Sequence, residues 1–290
     1  MKKIDMKRQQ SFLSNQPCLY VVATPIGNLN EISNRTIETL QKVAAVFCED
    51  TRVSGKILQH LSIKKPLYSA YENKELEAAQ QIIAFLQKGE EVALLSDAGY
   101  PAISDPGQKI IQQVKENGYP VIIINGPCAL IQSVIASGFP FQHFYFYGFL
   151  DAKSAKRKKE LLSLQNIDDV LIFYLSPHKA KETLQDVLTV LGNRTICLCR
   201  ELTKKFEEYV WGTIEEVISI VDTLKGEMVL VVEGKKIEKK AITPALFHLI
   251  DEKMKKGYSK NQAIKEVAKE NDVSKNELYD AYHLGGKDHE

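Results

Sequence analysis

Short runs of aliphatic and β-branched residues alternate along this chain with segments whose apolar positions recur at three- and four-residue spacing. The runs at 19–23, 45–48, 91–95, 121–124, 143–147, 170–174, 195–199 and 228–232 predict strands, since a brief, nearly continuous apolar run suits a strand buried on both faces. The segments 34–44, 75–87, 108–117, 179–191 and 214–224 predict helices, and another helix of small residues follows Asn125-Gly126-Pro127-Cys128. Thr213 to Glu216 has the spacing of a capping box, in which the Thr hydroxyl and the Glu carboxylate close the first turn between them. Strand and helix in alternation predict an α/β fold with largely parallel sheets.

At 290 residues the chain exceeds what one small core requires. The strand count and a break near 138–150 divide it into a disordered N-terminal segment (1–16), an N-terminal α/β domain (17–126), a C-terminal α/β domain (127–236) and a helical extension (237–290). Lys235, Lys236, Lys239 and Lys240 form a polar linker into that extension. Ser259 with Gln262 and Ser274 with Glu277 are spaced as capping boxes that open two short helices. Their cadence is that of a helix-turn-helix; a small helical cap is the plainer alternative.

Composition narrows the class. Hydrophobic residues are 44% and charged residues 26%, with a formal net charge of +1, which fits a globular chain without a global basic field. Any RNA contact therefore has to be local, and no DNA partner is expected. Five cysteines, an odd number, sit mostly in apolar runs and form no Cys-x-x-Cys, so reduced thiols in a cytoplasmic protein are expected, with no metal site. No apolar run approaches the roughly 20 residues that cross a bilayer. Lys2, Lys3, Lys7 and Arg8 are not followed by the apolar stretch of a signal peptide.

Chemistry concentrates in loops that follow strands, where open α/β sheets bind ligands. Thr24-Pro25-Ile26-Gly27-Asn28-Leu29 combines a stiff Pro with a Gly that lets backbone approach a ligand, although such a turn is often only a turn. Glu49-Asp50-Thr51-Arg52 offers two carboxylates that could orient a hydroxyl or accept its proton; the alternative is an acidic helix cap. The stretch 96–107 holds two Ser-Asp pairs, two Pro and two Gly in twelve residues. A loop that long inside a compact domain is usually functional. Gly126 allows close approach beside a helix start. Nucleotide-binding G-x-G-x-x-G, the P-loop and Gly-x-Ser-x-Gly are all absent, which leaves a cofactor site of another kind.

Taken in order, Thr24 to Leu29, Glu49 to Arg52, Ser96 to Gly99, Ile103 to Gly107, Ala136-Ser137-Gly138, Gly148-Phe149-Leu150, Ser176-Pro177-His178, Arg200-Glu201-Leu202-Thr203-Lys204 with Phe206-Glu207, and Gly226-Glu227 before Val232-Glu233-Gly234 resemble the tetrapyrrole-methylase superfamily, and within it the branch that acts on small-subunit ribosomal RNA. The resemblance runs over residues 19–234, and the helical tail is similar to that branch's own extension. It implies two consecutive α/β domains with S-adenosylmethionine in the cleft between them, homodimerisation, and 2′-O-methylation of a cytidine ribose in the decoding region of 16S rRNA of the small ribosomal subunit. By the same resemblance the cofactor contacts Thr24, Pro25, Ile26, Gly27, Asp97, Ala98, Gly99, Ile103, Gly126, Pro127, Cys128, Ala129, Phe173 and Tyr174. The chain departs from the family pattern at Cys128, where a different polar contact is usual, and at Leu175, where a Glu is usual.

A ribose hydroxyl is a poor nucleophile, so the site needs a base and a group to stabilise the developing alkoxide. Asp97 is expected near the sulfonium, with Glu49, Asp50 and Arg52, and Arg200, Glu201 and Lys204, near the ribose. Lys153, Lys156, Arg157, Lys158 and Lys159 form a basic cluster placed to hold RNA phosphates, and Lys253, Lys255, Lys256 and Lys260 form another. A solvated helix face is the alternative for each cluster. A tetrapyrrole-precursor methylase and a non-catalytic ribosome-assembly factor are the rival functions.

Overall fold

A computed structural model describes residues 8–11, 15–235, 242–271 and 273–285. They form two compact units, divided after Lys235. In chain order the first unit contains β1 (Leu19–Val22), α1 (Asn34–Lys42), β2 (Ala45–Cys48), α2 (Thr51–His60), β3 (Leu67–Ser69), α3 (Glu75–Gln87), β4 (Val92–Leu95), α4 (Gln108–Glu116), β5 (Val121–Ile124) and α5 (Ala129–Ser137). It continues with β6 (Phe144–Phe149), α6 (Ser154–Leu164), β7 (Val170–Leu175), α7 (Ala180–Leu191), β8 (Thr195–Arg200), β9 (Glu208–Thr213), α8 (Ile214–Ile220) and β10 (Met228–Val232).

The first sheet runs β3-β2-β4-β1-β5 with every pair parallel. Its apolar runs are continuous because consecutive residues serve opposite faces. Leu19, Val21, Phe47 and Leu94 pack under α3 and α4, while Val22, Val46, Cys48 and Leu95 pack under α1 and α2. All four loops singled out above leave the carboxyl ends of β1, β2, β4 and β5.

The second sheet runs β6-β7-β10-β8-β9. Only β6 and β7 are parallel; β7, β10, β8 and β9 pair antiparallel, so the expectation of largely parallel sheets fails here. One face carries α6, α7 and α8 over Phe173, Leu198 and Leu230. The other face packs Ile172, Cys197 and Val231 against Val134 of α5 and against Ile26 of the loop after β1. Trp211 of β9 donates its indole N–H to the Ser137 carbonyl at 2.8 Å. The carboxyl ends of the first sheet are thereby held against one face of the second.

The strands β3 and β9 were not legible as such, and the helices α2 and α6 entered only as alternatives, an acidic helix cap at Glu49–Arg52 and a solvated helix face at Lys153–Lys159. β3 has three residues, and β9 is a half-buried edge strand without a fully buried position. The Thr213–Glu216 capping box forms, with reciprocal bonds. Of the segment expected to be disordered, 1–7 and 12–14 lie outside the described residues; Gln9 bonds both the N–H and the C=O of Val121 through its amide.

The second unit holds α9 (Pro244–Lys255), α10 (Lys260–Asn271) and α11 (Lys275–Gly285) around Leu246, Ile250, Ile264, Val267 and Leu278. Lys253 pairs with Glu270 at 2.7 Å and Lys260 lies 4.9 Å from the Tyr282 ring centroid. Two of the four tail lysines are thus engaged within the unit, while Lys255 and Lys256 are exposed.

Candidate active site

The loops after β1, β2, β4 and β5 are tied to one another before they meet any ligand. Thr24 and Gly99 exchange backbone bonds, N–H of Thr24 to O of Gly99 at 2.8 Å and the reverse at 3.1 Å. The Thr24 hydroxyl donates to the Ser96 carbonyl at 3.0 Å, so this buried residue is a strut between β1 and β4 and does not line a cavity. The Asp50 N–H donates to Asp97 Oδ1 at 3.2 Å, and the Gly126 N–H donates to the Tyr100 hydroxyl at 3.1 Å. The far end of the 96–107 loop is anchored by Glu75 of α3, buried, which accepts the Gly107 N–H at 2.7 Å.

Between these loops and the second sheet lies a cleft of about 520 Å³. The first half contributes Ile26, Glu49, Asp97, Ala98, Gly99, Tyr100, Ile103, Ser104 and Asp105, followed by Cys128 and Ala129 of the α5 start. The second contributes Phe149, Tyr174, Leu175, Ser176, Pro177, Leu202, Glu227, Met228 and Val229. A more open hollow of about 810 Å³ adjoins it, sharing Tyr100, Ile103 and Cys128 and adding Gly126, Pro127 and Glu31. The volume is that of a pocket for a nucleoside-sized ligand.

The charged groups lining the main cleft are acids. Burial pushes the Asp105 carboxyl up to about 6, with the negative charges of Glu49 and Asp97 adding to the effect. Glu49 is raised by burial and then by Asp97 and Asp50. Asp97 is raised by burial, partly opposed by the Asp50 N–H. Tyr174 is pushed up to about 12, chiefly by burial.

Sequence and structure part at several residues. Pro25 and Gly27 do not line the cleft; Gly27 lies beneath Lys204, whose Cγ a Cβ there would strike. Phe173 is fully buried in the core under α6 and α7, because on a strand the neighbour of the cleft-lining Tyr174 points to the opposite face. Asp50 caps α2, accepting the Arg52 N–H at 2.8 Å, and pairs with the Arg52 guanidinium at 2.6 Å, which holds its carboxyl down at about 2. Arg200 pairs with Glu208 and donates to the Lys225 carbonyl. Lys204 is held by Glu201 at 3.0 Å and Glu227 at 2.8 Å, so neither it nor Glu201 projects as an uncommitted charge.

Arg157 corrects the basic cluster. Those residues form α6, and Arg157 shares its inner face with Leu161 and Leu164 at i, i+4 and i+7. It is 1% exposed and pairs with Asp186 at 2.6 Å and Glu182 at 2.9 Å. It is a buried structural cation, out of reach of RNA. Lys153 and Lys159 are exposed; Lys156 lies 3.7 Å from Asp151 and Lys158 3.2 Å from Asp186.

The residues that the sequence left unassigned are Asp105, Ser104, Tyr100 and the second-sheet wall. Asp105 sat in plain view in the 96–107 loop, and its half-buried setting is what distinguishes it. Phe149, Leu202 and Glu227 stood within the motifs of the resemblance, but nothing local marked them, or Met228 and Val229, as a wall of the cleft, since that depends on how the two sheets meet.

A profile described as Tetrapyrrole (Corrin/Porphyrin) Methylases matches residues 18–218. The chain is 41% identical over 289 residues to the ribosomal RNA small subunit methyltransferase I of Bacillus subtilis, covering 96% of this chain and 99% of that protein. It is 39% identical to the protein of the same name from Halalkalibacterium halodurans, with the same coverage. Its fold is similar to that of a solved uroporphyrin-III C-methyltransferase from Thermus thermophilus complexed with S-adenosylhomocysteine, with a TM-score of 0.54 at 15% identity over 74% of this chain and 97% of that one. The chain therefore belongs to the tetrapyrrole methylase family and, within it, to the family of ribosomal RNA small subunit methyltransferase I.

Proposed function

We propose that this protein transfers a methyl group from S-adenosylmethionine to the 2′-hydroxyl of a cytidine ribose in the decoding region of 16S rRNA, acting on the small ribosomal subunit in the cytoplasm as a homodimer. The observation that carries the reading is full-length similarity to relatives whose name states small-subunit rRNA methylation. The segments 17–126 and 127–236 act as two domains, with the cofactor between them.

The cleft suits such a donor chemically. Glu49, Asp97, Asp105 and Glu227 surround it with negative charge, which favours a cationic sulfonium, while Ile26, Ile103, Leu202 and Val229 give apolar surface for an adenine. Backbone at exposed Ala98 and half-buried Cys128 offers bonds to polar edges. The bound donor supplies an activated methyl carbon; the protein's part is to align the nucleophile, exclude water and take up a proton. Lys153 and Lys159 of α6 would hold flanking phosphates outside the cleft, leaving one nucleoside to enter.

The same acids argue against a tetrapyrrole-precursor substrate. A ring bearing many carboxylates needs cationic residues around it, and the charged residues lining this cleft are all acidic. The deciding experiment supplies labelled S-adenosylmethionine together with isolated small subunits, naked 16S rRNA or a tetrapyrrole precursor, and maps any 2′-O-methylated nucleotide. Label on one decoding-region cytidine of the subunit is expected. Label only on the tetrapyrrole, or tight cofactor binding with no transfer, would sink the reading.

A further inference from the structure

Methylation of an uncharged ribose hydroxyl requires a base within hydrogen-bond reach. Most of the carboxylates near the cleft are already committed. Asp50 is clamped by Arg52 and caps α2. Glu201 accepts from Lys204 and from the Glu227 N–H, each at 3.0 Å. Glu227 itself accepts from Lys204 at 2.8 Å, and Asp97 accepts the Asp50 N–H at 3.2 Å.

Asp105 and Glu49 remain: both line the cleft, both are half-buried, and neither carboxylate accepts a hydrogen bond from a described residue. Asp105 differs in the backbone beneath it. The backbone holds it there under strain: Ala102 and Ser104 adopt φ of 70° and 63°, a left-handed conformation that few residues other than glycine take up. The loop is stapled on both sides of this strain, by the Ala102 N–H on the Pro106 carbonyl at 3.2 Å and by Gly107 on Glu75 at 2.7 Å. A strained, anchored turn that presents an unsatisfied carboxylate to a cavity is arranged for a partner that arrives from outside.

We propose that Asp105 is the general base of the reaction, its carboxylate accepting the proton of the attacking 2′-hydroxyl. The proposal rests on the methyl-transfer reading above. As the ribose oxygen bonds to the methyl carbon, the carbon–sulfur bond breaks with its electron pair left on sulfur, which discharges the sulfonium. The hydroxyl proton ends on Asp105 and passes to solvent once product has left, so atoms and charge balance without a further reactant. Three groups face this carboxylate from neighbouring elements: Glu49 after β2, Asp97 after β4 and Tyr174 of β7. Burial, with the two acids adding to it, leaves Asp105 ionised at neutral pH yet more basic than an ordinary aspartate.

The test compares wild type, Asp105→Asn, Asp105→Glu and Glu49→Gln in single-turnover methyl transfer to small subunits across pH. S-adenosylmethionine affinity is measured by calorimetry, and aspartate carboxyls are titrated by ¹³C NMR. Asp105→Asn is expected to slow transfer by about 100-fold or more, a loss well beyond any fall in cofactor affinity from the removed charge, and Asp105→Glu to recover part of the rate. The wild-type rate is expected to fall with acid around pH 6, and the carboxyl titrating there to vanish from the Asp105→Asn spectrum. Transfer by Asp105→Asn at near the wild-type rate overturns the proposal, as does an acid limb lost in Glu49→Gln but kept in Asp105→Asn. Failure of the wild type to methylate any ribose is a different outcome: it overturns the functional reading, and the base with it.

Discussion

Lys204 lays its aliphatic stem directly on Gly27, so that the loop after β8 sits on the loop after β1 where a Cβ would collide with Lys204 Cγ. The stem has little room to yield, because its ammonium is fixed between Glu201 and Glu227. Gly27→Ala should cost about 1–3 kcal/mol of stability, as overpacked sites do. Removing the obstruction in Gly27→Ala/Lys204→Ala should recover part of that loss, a coupling of roughly 0.5 kcal/mol or more between neighbours. Denaturant titration of the four proteins decides it; strict additivity would show that the contact is not the cause.

Arg157→Ala should be severely destabilising, by about 3–5 kcal/mol, because it takes from a buried carboxylate its buried partner and leaves only Ser154 and the half-exposed Lys158. Asp186 is that carboxylate: burial opposes its charge, yet bonds from Ser154, Arg157 and Lys158 hold it below the usual range. Lys153→Ala and Lys159→Ala should leave the melting temperature nearly unchanged and weaken RNA binding, with a shallower salt dependence. An Arg157→Ala protein that melts like wild type but binds RNA poorly would contradict its assignment as a structural cation.

Gly126→Ala would place a Cβ 2.9 Å from Ala23 Cβ and 3.1 Å from the Ala23 carbonyl oxygen. Neither β1 nor β5 can give way easily, so the loop after β5 must lift and lose the Tyr100 bond. S-adenosylmethionine affinity should fall by about tenfold, which is 1.4 kcal/mol. Calorimetry reads the loss directly, and unchanged affinity would mean that this rim does not contact the cofactor.

The folded state holds the proton of Asp105 more tightly than the unfolded chain does, since the folded carboxyl titrates at about 6. Its favourable contribution is complete below about pH 4, the unfolded value, and is lost as pH rises through 6. Asp105→Asn, neutral throughout, should therefore match wild-type stability near pH 4. Above pH 6 it should exceed it by of order 1 kcal/mol, after allowing for solvent screening in a partly open cleft. Melting curves at the two pH values check this, and an Asn variant less stable at pH 7 would count against a strained, desolvated carboxylate.

Apolar period and turn chemistry are local properties of the chain, so the α/β alternation, the place of the ligand loops at strand ends and the family can be read along it. Even Arg157 could have been read as buried from its i, i+4, i+7 spacing with Leu161 and Leu164. Tertiary structure decided the rest. The antiparallel pairing of β7, β10 and β8 follows from which edges meet in space, and no period of two distinguishes it from parallel pairing. The fate of each carboxylate was likewise undecided along the chain: Asp50 is neutralised by a neighbour two residues away, while Asp105 owes its character to burial and then to Glu49 and Asp97, all of which come only with folding. Charge, burial and hydrogen bonding act through space, so residues of one type at similar loop positions become a cap, a strut or a base according to what the fold sets beside them.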